Sequence, residues 1–222
     1  MKKKFFIPLY FLFFAATAFS QRPVLSIATD LDLQHSFKKE QRYWAVGQAV
    51  QFQFHFTPED GAYTWISYYS VGKFSNDLTA PAKLPATNPQ QIDYRNNAEM
   101  RFKHFSVGWK HYLKGAYNNG DSWSLYGYAG FGLLLGRVIN THSVVIDTAL
   151  YNVPVRSGKA NFKRLTLDLG LGWEINLGGD IYFYNEARVW VPTSDYPSKY
   201  IFINKNAPLV ASLNFGIRIL FD

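Results

Sequence analysis

The sequence predicts an all-β fold, an eight-stranded antiparallel up-and-down transmembrane β-barrel. Three observations predict it. Eight segments alternate apolar and polar residues, the period of two that puts successive side chains on opposite faces of a strand. The links between them alternate short and long, as in barrels with short turns on one side of a membrane and longer loops on the other. Charged residues share a face with glycines while the opposite face is apolar, which suits a wall with lipid outside and a polar filling inside.

The first segment, 24–34, sets Leu25, Ile27, Leu31 and Leu33 against Ser26, Asp30, Asp32 and Gln34. In the second, 42–56, Trp44, Val46, Val50, Phe52, Phe54 and Phe56 oppose Gly47, Gln51, Gln53 and His55. The third, 62–74, carries Tyr and Trp on both faces, so its inside and outside stay open. The fourth, 98–113, has Phe105, Val107 and Trp109 in phase but no clear period in its first half. The fifth, 123–137, opposes Trp123, Leu125, Phe131, Leu133 and Leu135 to Ser124, Gly130, Gly132 and Gly136. The sixth is the most regular: Leu165, Leu167, Leu169, Leu171, Trp173, Ile175 and Leu177 face away from Arg164, Thr166, Asp168, Gly170, Gly172 and Glu174. The seventh, 181–191, places Ile181, Phe183, Ala187 and Val189 opposite Glu186 and Arg188. In the eighth, 208–221, Leu213, Phe215, Ile217, Ile219 and Phe221 oppose Ser212, Asn214, Gly216 and Arg218. Each segment is near or above the roughly 9–11 residues a tilted strand needs to cross a bilayer.

Short links fall at 57–61, 115–122 and 178–180, longer ones near 35–41, 75–97, 138–160 and 192–207. With a periplasmic N-terminus and an even strand count, every long link lands outside the cell. The 75–97 link, with Pro81, Pro85 and Pro89, reads as a mobile exposed arm. A soluble barrel or secreted β-sandwich would alternate as well. Charges in phase with glycines, aromatics at segment ends and the character of the last segment favour the membrane.

At the N-terminus, Lys2-Lys3-Lys4 precedes an apolar run from Phe5 to Phe14 and a small-x-small site at Ala18 and Ser20. This is the layout of a signal peptide, 1–20, cleaved after Ser20, which leaves 21–222 as the barrel domain. The chain has no cysteine, which excludes disulfides, thiolate chemistry and a lipoprotein anchor. Mean hydropathy is −0.14 and aromatic residues make up 18%, ordinary on average yet rich in interfacial side chains. Net charge is +7 and becomes +4 without the three leader lysines, too mild to imply nucleic acid.

The final segment, Asn214-Phe215-Gly216-Ile217-Arg218-Ile219-Leu220-Phe221 followed by Asp222, resembles the C-terminal sorting signal of Gram-negative outer-membrane barrels. Together with Tyr69-Ser70-Val71-Gly72-Lys73-Phe74 and Phe105-Ser106-Val107-Gly108-Trp109-Lys110, it makes the chain similar to the small outer-membrane β-barrel family represented by OmpX, OmpW and the OmpA membrane domain, with its porin-like relatives. The resemblance implies an outer-membrane location and insertion by the barrel-insertion machinery through the C-terminal strand. It also implies contact with outer-membrane lipid and lipopolysaccharide, with no cofactor, as a monomer. No peptidoglycan-binding module is expected after the eighth strand.

An eight-stranded barrel has room inside for little more than its own side chains. The phase places Asp30, Asp32, Asp168, Glu174 and Glu186 there with Arg164, Arg188 and Arg218, and Asp168 with Arg188 is the expected cross-strand pair. Buried charges of both signs offset one another when paired, so these read as a structural plug. Lys73, Arg101, Lys103, Arg137 and Lys163 form a basic rim where the third to sixth segments emerge, suited to lipopolysaccharide phosphates. Trp44, Trp109, Trp123, Trp173 and Phe221 read as an interfacial girdle. Gly127, Gly130, Gly132, Gly170 and Gly172 read as positions of sharp curvature and close strand approach. His35-Ser36 and His142-Ser143 are candidate dyads for a lipid-acting enzyme, though adjacent residues on an extended chain point apart. No G-x-S-x-G elbow accompanies them. His55, His104 and His111 lack the spacing of a metal site. The functional reading is a non-enzymatic platform displaying four loops; a narrow solute pore and a lipid-modifying enzyme are the alternatives.

Overall fold

The computed structural model describes residues 24–37, 39–120, 122–193 and 209–221; the expected leader and most of the last long link lie outside them. Nine strands follow in chain order: β1 (Val24–Ser36), β2 (Trp44–His55), β3 (Asp60–Tyr69), β4 (Gly72–Pro81), β5 (Gln91–Lys114), β6 (Ser124–His142), β7 (Gly158–Gly178), β8 (Ile181–Pro192) and β9 (Val210–Phe221). The described residues contain no α-helix, only a short 3-10 turn at Lys39–Gln41. Each strand pairs antiparallel with its neighbours, β9 returns to β1, and β3 joins β5, which closes the cylinder.

Nine strands make eight staves because β3 and β4 are one stave with a break. Tyr68 sits opposite Lys103 and Gly72 opposite Met100. One extra residue therefore lies between β3 and β4, which bends the strand as a bulge does. The break falls where β2 ends: the Ser70 N–H donates to the Val46 carbonyl and the Val46 N–H to Ser70 Oγ. Beyond it, β4 continues along β5 alone.

The alternation resolves as lipid-side apolar and lumen-side polar. Leu165, Leu169, Leu171, Phe131, Phe215 and Ile217 point outward and exposed, while Asp168 and Arg188 are sealed inside. The third segment divides the same way, with Tyr63, Trp65 and Tyr69 inward and Ile66 and Tyr68 outward.

The 75–97 stretch is not a mobile arm. It is the tall hairpin of β4 and β5, and only residues 82–90 form its tip. The reason it escaped the pattern is physical. Beyond the bilayer the outer face meets water, so Ser75, Asp77 and Thr79 on β4 and Asp93, Arg95 and Asn97 on β5 are polar outward. The inner face mixes Tyr94, Asn96 and Ala98. The contrast that marks a membrane strand is lost. The outward face of β5 changes sharply after Lys103 to Phe105, Val107 and Trp109. From Gln91 to Lys103, β5 adds about 40 Å of strand beyond that apolar belt. β6 and β7 rise beside it with 19 and 21 residues, against 12 for β8 and β9.

The β6–β7 loop folds over this hairpin. Tyr151 buries its ring with Ala80 and Tyr94, joined by Leu78, Ile92, Ile146 and Val153. Its hydroxyl donates to the Pro89 carbonyl at 3.0 Å, and the Asn152 N–H donates to the Pro81 carbonyl. On the outer side, Arg95 donates to Asp77 at 2.8 Å and holds that carboxyl below the usual carboxylate range. Tyr151→Ala should remove about 3 kcal/mol of local packing. Cleavage within 143–157 by added protease should accelerate while the barrel keeps its heat-modifiable gel mobility; unchanged cleavage would show that Tyr151 does not hold the loop.

Candidate functional site

Three polar clusters occupy the lumen. The first joins β1 to β8 around Arg188, which donates to Asp30 at 2.8 Å and through Nε to Glu186 at 2.8 Å, with Asp32 at 3.8 Å. Three tyrosines complete it: Tyr184 donates to Asp30, Tyr69 to Asp32 and Tyr126 to Glu186, each at 2.8 Å. The guanidinium carbon also lies over the Trp65 ring, 4.6 Å from its centre, where the negative face of the ring attracts a cation. One cation thus answers three carboxylates, and each carboxylate also accepts one phenolic hydrogen bond.

The second cluster centres on Glu174. Arg218 donates to it at 2.7 and 3.2 Å, Tyr112 at 2.8 Å, and the Lys110 ammonium lies 3.6 Å away. Lys110 sits over the Tyr126 ring at 3.5 Å and donates to Gln53 at 3.0 Å. Arg218 donates also to the Tyr117 carbonyl at 2.6 Å, and the Tyr117 ring stacks on His55, drawing the β5–β6 turn into the barrel mouth. Lys110 was missing from the sequence expectation, although the signal was present: with Trp109 facing lipid, its neighbour must face inward.

The third cluster holds Asp168, and here the expected pair fails. Register places Asp168 opposite Trp190 and Arg188 opposite Gly170, so Arg188 turns across the barrel toward β1. Asp168 instead accepts hydrogen bonds from Ser106 and Thr166, and His104 Nε2 lies 3.3 Å away. Trp65 donates its indole proton to His104 Nδ1 at 3.2 Å. Ser, His and Asp meet here without a nucleophile–base bond: Ser106 gives its proton to the carboxylate, and the group is closed to solvent. Gly132 makes the room, since a Cβ there would collide with His104, Asp168 and Thr166. Arg164 is also fully buried in the lumen.

Toward the outer end the filling turns apolar. Tyr43, Tyr69, Met100, Phe102, Leu134, Val138, Trp190 and Val210 pack into one buried cluster, with Phe74 and Phe162 against it. Two clefts of about 400 and 310 Å³ lie on the extramembrane part, the first beside Asp77, Tyr94 and Arg95, the second beside Lys83, Tyr151 and Arg156.

The histidine–serine pairs do not form dyads. His35 lies outward against Trp44 and Phe37 while Ser36 is buried on the other face. His142 rests on the Tyr94 ring, burial lowering its pKa, and Ser143 Oγ accepts the Arg95 N–H. Among the described residues no three His, Asp or Glu side chains converge as metal ligands.

On the outer wall, Trp44, Trp109, Trp123, Trp173 and Phe221 are all exposed. Trp109 donates to Asp60 at 2.9 Å, and Lys114 caps Trp123 at 3.8 Å. Trp65 and Trp190 are lumen residues instead. Gly130, Gly132, Gly170 and Gly172 face crowded neighbours, whereas a Cβ on Gly127 would meet nothing closer than 3.7 Å, so close approach does not explain Gly127. Of the basic rim, Lys73 is paired with Glu99 at 3.5 Å. Arg101 stands directly opposite Arg137, and Lys103 and Lys163 flank Leu135 on either side. Lys103 also reaches over the Tyr68 ring at 5.8 Å.

No protein-family model matches the sequence, and no curated protein matches it. Solved structures do. Neisserial surface protein A superposes with a TM-score of 0.52 at 10% identity, over 89% of this chain and 97% of that one. Ail, the attachment invasion locus protein of Yersinia pestis, solved with the heparin analogue sucrose octasulfate, gives 0.50 at 10% identity over 90% and 100%. With its closed eight-stave wall, outward apolar belt and polar filling, the chain has the fold of the small outer-membrane β-barrels.

Proposed function

We propose that the protein is a non-enzymatic integral outer-membrane protein, a closed barrel that anchors a rigid extracellular platform. The observation that carries this reading is the state of the lumen. Arg188, Arg218, Asp168, Glu174 and Glu186 have no more than 1% of their surface open to solvent, whereas groups lining a conducting path must touch water. Ion pairs lock the inner part of the barrel and packed rings fill the outer part, so the strands serve as an anchor and not as a conduit. What varies on such an anchor is its exposed structure: here the β4–β5 hairpin with the β6–β7 loop packed onto it.

Planar-bilayer recording should give no stable single-channel steps from purified, heat-modifiable protein; regular steps would favour a narrow pore. Outer-membrane fractionation should carry the protein with the envelope. For an enzyme, fatty acid would be released from lipopolysaccharide and the release abolished by Ser36→Ala or Ser143→Ala; none is expected.

A further inference from the structure

Arg101 and Arg137 are directly opposite partners on β5 and β6, both exposed on the outer wall. Like charges placed so repel, and among the described residues no carboxylate lies within ion-pair distance of either. One step toward the membrane, Lys103 and Lys163 flank Leu135, one on each neighbouring strand. Adjacent strands lie about 4.8 Å apart and alternate outward residues about 7 Å apart. The four cations therefore frame a patch of roughly 10 by 7 Å. Lys73, by contrast, is already answered by Glu99.

The level of this patch decides its partner. Directly beneath it the wall is apolar, with Phe105 on β5, Leu133 on β6 and Leu165 on β7, each exposed. Leu135 itself, framed by the two lysines, is 38% exposed. A soluble polyanion would gain nothing from that leucine. An amphiphile with phosphates above and acyl chains below would use the cations and the belt together.

We infer that Arg101, Lys103, Arg137 and Lys163 form a phosphate-binding ledge for a phosphorylated glycolipid of the outer leaflet. The inference rests on the outer-membrane reading above. The bound phosphate bridges the two guanidiniums as a charge-assisted, bidentate acceptor, and its charge removes their mutual repulsion.

The test uses the whole protein purified from outer membranes in mild detergent. R101Q/R137Q/K163Q should retain roughly tenfold less lipopolysaccharide than the parent, the loss of at least one charge-assisted hydrogen bond. K83Q, which removes a lysine at the hairpin tip, should retain the parental amount. After delipidation into zwitterionic micelles, the sign should reverse: R137Q should unfold at a higher temperature than the parent, because the opposed pair is gone. Bisphosphorylated lipid A should then raise the midpoint of the parent and leave that of the triple variant in place. Equal lipopolysaccharide on parent and triple variant, in bands that both stay heat-modifiable, overturns the ledge alone. A midpoint shift from inorganic phosphate equal to that from lipid A overturns the lipid as its source. A parent that fails to fractionate with the outer membrane overturns the anchoring reading instead.

Discussion

Arg188→Ala is expected to cost about 3–5 kcal/mol of barrel stability, the range for removing one partner of a buried ion pair. The substitution leaves Asp30, Asp32 and Glu186 facing one another with only Tyr184, Tyr69 and Tyr126 as donors. It also strips the cation from the Trp65 ring. Equilibrium urea unfolding in detergent micelles measures the effect. The cause is separable from lost volume by a second step: Asp30→Asn in the Arg188→Met background should recover part of the loss, because it removes one uncompensated charge. An Arg188→Met protein as stable as the parent would show that the guanidinium does not hold the three carboxylates together. The exposed pair between Arg95 and Asp77 makes a useful contrast, since solvent screens it. Asp77→Asn should leave the unfolding midpoint where it is.

Gly130→Val should be the most damaging single change in the strand wall. Gly130 and Gly108 are opposite partners on β6 and β5. A Cβ on Gly130 would lie 2.8 Å from the Gly108 Cα, and one on Gly108 would lie 2.6 Å from the Gly130 Cα. Both would also strike the Tyr63 hydroxyl, which occupies the notch that the two glycines leave. Backbone cannot rotate away as a side chain can, so the strands must separate. Alanine should cost about 1–3 kcal/mol and valine more. The double alanine variant should cost less than the sum of the two singles, because strands parted by the first substitution already admit the second. Strict additivity would mean that the two glycines do not share one contact. Gly127→Ala, open on the lipid side, is the control and should be tolerated.

The wall of the barrel was legible because burial there obeys a local rule. Leu165, Leu169 and Leu171 face lipid while Thr166 and Asp168 do not, and a period of two is visible in any short window. The β3–β4 break and the tall hairpin were not legible. One extra residue between Tyr68 and Gly72 shows only against the partner strand, and polar residues on both faces of the hairpin erase the alternation. The clusters inside were legible in part. Phase identified which charged side chains share the lumen, yet the expected partnership of Asp168 with Arg188 gave way to Asp168 with Ser106 and Thr166, and Arg188 with Asp30 and Glu186. Lys110 and His104 were readable from phase, but their neighbours on a strand of mixed pattern obscured them.

By itself the sequence determined the class of fold, the number of staves and the face on which most of the lumen charges lie, since these depend on alternation along the chain. Only the tertiary structure decided which charges meet, how far β5, β6 and β7 rise above the belt, and that Arg101 confronts Arg137. Those relations depend on the register and stagger with which the sheet closes on itself. A shift of one residue in that pairing would reassign every partner without altering a single letter of the chain.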